Sequence, residues 1–71
     1  MSNIEKLKAR TQRLSDVIRD REASIESYYD MLYRNEIDEK EHKFLCNMQE
    51  KEIKKNERAL YKTLAAIKAA S

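Results

Sequence analysis

The chain has one histidine and one cysteine, His42 and Cys46, and they stand four residues apart. On a helix that spacing puts both side chains on one face. It is the spacing of a two-ligand clip for zinc, or of a thiolate beside an imidazole. Neither chemistry is complete. A structural zinc site takes four ligands, which here would require two chains meeting about a two-fold axis. A cysteine nucleophile needs a third group to orient the imidazole and donors for an oxyanion. Glu39-Lys40-Glu41-His42 has the Glu-x-x-His spacing of a di-iron helical site, but that motif is needed on two helices and occurs once. Glu22/Glu26 and Glu36/Glu39 lie in polar stretches that give them none of the burial acid–base work requires. The expectation is therefore of no catalytic residue, no metal, no cofactor and no small-molecule substrate: a chain that is not an enzyme.

The composition points the same way. In 71 residues there is no Gly and no Pro, and 39% are charged. Tight β-turns and phosphate-cradling loops need residues that tolerate positive φ or fix it. A β-sandwich, a Walker-type loop and a dinucleotide fingerprint are excluded on that ground, leaving an almost purely helical chain. One Cys rules out an intrachain disulfide; between Leu45 and Met48 it reads as a small buried hydrophobe in a reducing compartment. No N-terminal apolar leader is present, and no apolar run approaches the ~20 residues of a membrane span. A cytoplasmic setting away from membranes is expected.

The elements that must carry any surface follow from spacing. Ser2-Asn3-Ile4-Glu5 fits a capping box. Ile4, Leu7, Thr11, Leu14, Ile18, Arg21, Ile25, Tyr28 and Leu32 then recur in steps of three and four, the seam of a helix packed along one partner. This predicts a helix over residues 3–33. The period fails at 34–38, where Asn35 suits the left-handed C-terminal position. Asp38 as cap with Glu41 three residues on starts a second helix over 39–69. Its apolar groups fall into two patches, Phe44/Leu45/Met48 and Ile53/Leu60/Leu64/Ile67.

Folding back at the turn pairs residues whose numbers add to about 71. Ile4 then meets Ile67, Leu7 meets Leu64, and Ile25 and Tyr28 meet Met48, Leu45 and Phe44. Arg21 falls near Gln49, Glu50 and Glu52. The fold class expected is all-α: an antiparallel, coiled-coil-like two-helix hairpin forming one domain. A single long helix is the alternative. It would run a seam of Asn35, His42, Gln49, Asn56 and Thr63 against a second chain, a poor coiled coil. A chain this short buries only about 60% of its unfolded surface, and Val17, Ser24 and Met31 on the first helix with Ala59, Ala66 and Tyr61 on the second form a further row of small and medium side chains beside the seam. The expectation is a homodimer, the two hairpins forming a four-helix bundle. In fold alone, with no shared motif, this is similar to the small helical-hairpin dimers.

Charge divides the hairpin. The open end, residues 1–14 and 53–71, has nine basic and two acidic side chains, a net of +7; the turn end, residues 15–52, has six basic and eleven acidic, a net of −5. Such a dipolar rod steers partners of opposite sign to its two ends. The turn end also carries Tyr29, Tyr33, Met31 and Arg34, an interface composition, with Val17 farther along the same helix. The first expectation is a small protein that binds and regulates or inhibits another protein through these residues. The second is a nucleic-acid-binding module whose Arg10, Arg13, Lys54, Lys55, Arg58 and Lys62 contact phosphates. A third is a structural segment that only oligomerises.

Overall fold

The computed structural model describes residues 2–71. Helix α1 spans Asn3–Tyr33 and α2 spans Glu39–Ala70. They lie antiparallel along each other in a rod of 50 × 16 × 13 Å. The radius of gyration is 16.0 Å, against about 11 Å for a globule of this length. The sequence expectation of a two-helix hairpin holds, with α2 one residue longer than its apolar pattern marks.

Both starts are capped by the side chains the spacing nominates. Ser2 Oγ accepts from the Glu5 amide at 3.2 Å, and Asp38 Oδ1 accepts from the Glu41 amide at 2.7 Å. Each satisfies an N–H that has no intrahelical acceptor. The end of α1 is a Schellman arrangement: the Asn35 amide donates to Leu32 O at 3.1 Å and the Glu36 amide to Met31 O at 2.9 Å. It requires Asn35 at φ 61°, a left-handed conformation that Asn adopts more readily than any other residue available here.

The seam of α1 is the predicted one: Ile4, Leu7, Thr11, Leu14, Ile18, Arg21, Ile25, Tyr28 and Leu32 are all half-buried. The seam of α2 corrects the sequence reading. The residues turned to α1 are His42, Cys46, Gln49, Ile53, Asn56, Leu60, Thr63 and Ile67, again in steps of four and three. Phe44, Met48 and Leu64, expected inside, are 63%, 53% and 44% exposed. The polar residues that argue against a rod therefore line the hairpin itself.

They are tolerated because most of their hydrogen bonds close locally. Thr63 Oγ1 donates to Ala59 O at 2.8 Å, Asn56 Nδ2 to Glu52 O at 2.7 Å, and on α1 Thr11 Oγ1 to Leu7 O at 3.0 Å. A polar group satisfied by its own helix presents mainly carbon to its neighbour. Such a seam is thin, however. Among the described residues only Cys46 and Thr63 are buried, at 7% and 5% exposure, and no side chain is fully enclosed.

Candidate interaction surfaces

Three surfaces stand out, and helical phase decides which residues each contains. The first is a groove of about 580 Å³ at the open end. Lys55, Arg58 and Lys62, spaced three and four apart on α2, rise on one wall, and Arg10 of α1 on the other. Leu7, Ala59, Thr63 and Ala66 complete the lining, and no carboxylate is among it. The small Ala59 and Ala66 side chains leave the space the cations surround. Arg13 is not part of this groove; it lines a neighbouring one with Arg10, Leu14 and Val17. Lys54 is set apart as well, lining a third with Glu57, Arg58 and Tyr61. Four of the six nominated cations thus converge.

The second surface is the turn end. Tyr33 is 89% exposed and Tyr29 58%. Tyr29 packs its ring edge-on against His42, with centroids 4.4 Å apart at 64°, which fixes its orientation while leaving much of its surface in water. Arg34 Nε lies 3.8 Å from Glu36 Oε1, an exposed pair across the turn. Phe44 and Met48, whose apolarity suggests the seam, instead add exposed apolar area on α2. The signal that places them outside is available in the sequence: the three–four step through Ile53, Leu60 and Ile67, run backwards, lands on Cys46 rather than on either.

The third surface is one side of the rod. Val17, Ser24 and Met31 recur every seventh residue of α1; Leu45, Glu52, Ala59 and Ala66 do so on α2. Arg10, which begins the first row, shares a groove with Ala59 and Ala66. The two rows therefore run along the same side of the hairpin. Ser24, Met31, Leu45, Glu52 and Ala59 are half-buried, and Val17 is 37% exposed. The partner-binding set read from the sequence is thus split, with Val17 and Met31 on this side and Tyr29, Tyr33 and Arg34 toward the tip.

Cys46 and His42 do meet: Sγ lies 3.4 Å from Nε2. Burial raises the thiol pKa above its ordinary value, and the nearby Glu50 carboxylate raises it further. A thiol held protonated is a poor nucleophile. Among the described residues no three His, Cys, Asp or Glu side chains converge on a metal position, and no helix is long and apolar enough to cross a membrane.

No protein-family model matches this chain, and neither a curated protein nor a solved structure matches it.

Proposed function

We propose that this hairpin is a non-enzymatic binding protein that regulates or inhibits a protein partner by docking its turn end. The reading is carried by Tyr33 and Phe44, large side chains left 89% and 63% exposed near the turn, with Met48, 53% exposed, one turn farther along α2. Large aromatic and Met side chains, with Arg34 beside them, are the residue types that anchor interfaces. The net charge of −5 over residues 15–52 suits a partner with a basic rim around an apolar pocket. The unpaired thiol of Cys46 suits a cytoplasmic setting. The test is affinity capture with the wild-type chain, with Tyr33→Ser/Phe44→Ser, and with Arg58→Glu/Lys62→Glu. A protein retained by the first and third but lost from the second, and then bound directly once purified, supports the reading. Equal retention by all three overturns it.

A second reading is favoured by one observation, the convergence of Arg10, Lys55, Arg58 and Lys62 on a groove without a carboxylate. Such a groove fits a nucleic-acid backbone, with affinity falling steeply as salt rises. A gel-shift titration with labelled RNA and DNA at low salt tests it. Absence of any shift disposes of it.

A further inference from the structure

We infer that two copies of this chain pack side by side in opposite directions through the Val17–Ser24–Met31 and Leu45–Ala59 side of the rod. The result is a four-helix dimer in which the basic open end of each protomer runs along the acidic turn end of the other. This surface is separate from the aromatic turn end, and its test is independent of that reading.

The first argument is area. A folded chain of this mass is expected to expose about 4,700 Å², whereas the hairpin exposes 5789 Å². The excess, about 1,100 Å², exceeds the roughly 800 Å² that each partner contributes to a standard interface. A seam with two buried residues among those described is a thin core for a chain without a disulfide, and association is the remaining source of burial.

The second argument is shape. Of the two lateral rows beside the seam, the opposite pair is Lys8, Ser15, Glu22 and Tyr29 on α1 with Lys43, Glu50, Glu57 and Leu64 on α2. That side is charged at most positions. The Val17 side carries small or apolar groups at most positions, interrupted by Arg10 near the open end and Glu52 midway along α2. Small residues at seven-residue spacing let two helix pairs approach closely.

The third argument, charge, fixes direction. Parallel packing would set +7 beside +7 and −5 beside −5, whereas opposite packing sets +7 beside −5. Unlike ends attract and like ends repel along the whole contact.

The test combines mass with direction. Sedimentation equilibrium of the full chain gives twice 8.5 kDa, and Val17→Lys/Met31→Lys halves the mass while its far-UV helix signal persists. For direction, a nitroxide is placed at exposed position 36 in the Cys46→Ser background, which leaves the proposed face untouched. Opposite packing puts the two labels near the 50 Å length of the rod. A monomeric mass at about 100 µM chain, or labels within about 25 Å of each other, one side-by-side rod width plus linkers, overturns the inference. The label measurement stands even if the double-lysine variant unfolds.

Discussion

Arg21 and Gln49 meet across the two helices: Arg21 Nη1 donates to Gln49 Oε1 at 3.1 Å. Gln49 in turn donates through Nε2 to the Tyr28 hydroxyl at 3.2 Å. One amide thus joins two residues about two helical turns apart on α1 and marks a single level at which α2 can sit. A slip of either helix by one turn would leave the guanidinium facing apolar carbon. Burial of a polar group in a seam is a recognised way to fix register.

Removing one member should therefore cost more than removing the set. Gln49→Leu is expected to destabilise the hairpin by about 1–3 kcal/mol, because Arg21 keeps its desolvation and loses its acceptor. Arg21→Leu/Gln49→Leu together should recover most of that loss. Urea denaturation of the two single variants and the double variant measures the coupling. Additive losses would show that the bond contributes nothing beyond its parts.

Asn35 carries the backbone conformation on which the turn depends. Asn35→Gly should leave stability unchanged or raise it, and Asn35→Val should lower it by about 1–2 kcal/mol, since a branched Cβ resists positive φ. Thermal melts of the three chains read the order directly.

The frame of α2 can be checked by paired truncation. Phe44→Ala, on an exposed position, should change stability by under about 0.5 kcal/mol. Ile53→Ala, on the seam, should cost about 1–2 kcal/mol, a half-buried share of the usual core penalty. The reverse order would restore the frame that apolarity alone suggests.

That frame is where the sequence and the folded chain part. The course of α1 is legible because its seam is apolar from Ile4 to Leu32, broken only at Thr11 and Arg21. The caps at Ser2 and Asp38 and the left-handed Asn35 are legible because each answers a local need of the backbone. On α2 the largest apolar side chains, Phe44 and Met48, lie outside the heptad step, while His42, Gln49, Asn56 and Thr63 lie on it. Apolarity outvotes periodicity in a sequence reading, since the hydrogen bonds of Asn56 and Thr63 to their own helix are invisible until the helix is built. The basic end is legible as a sum of charges. Its division into a four-cation groove and two outliers is not, because that depends on the angular position of Arg13 and Lys54 around their helices.

Cys46 makes stability depend on alkaline pH with a defined sign. Its folded pKa lies above the ordinary thiol value, with burial the main cause. As pH climbs past that ordinary value the unfolded chain gives up its proton first, so the folded state loses ground until the folded thiol also ionises. Above about pH 8.5, the ordinary thiol value, wild-type chain should lose more stability with rising pH than Cys46→Ala, whose alkaline loss comes from other groups alone. Identical pH slopes for the two chains would contradict the raised pKa.

Because α1 begins and α2 ends at the same extremity of a 50 Å rod, tension entering through Asn3 and Ala70 does not load the helices in shear. It prises them apart like a zipper, from the lysine- and arginine-rich extremity inward, one layer of side chains at a time. The first seam residues to part are those nearest that extremity, Ile4 and Leu7 on α1 and Ile67 and Thr63 on α2; the Arg21–Gln49 bond, more than halfway along, is the first side-chain hydrogen bond between the helices that the opening meets. A tether at the two termini would thus open the cationic half of the molecule while the tyrosine-bearing half stayed shut.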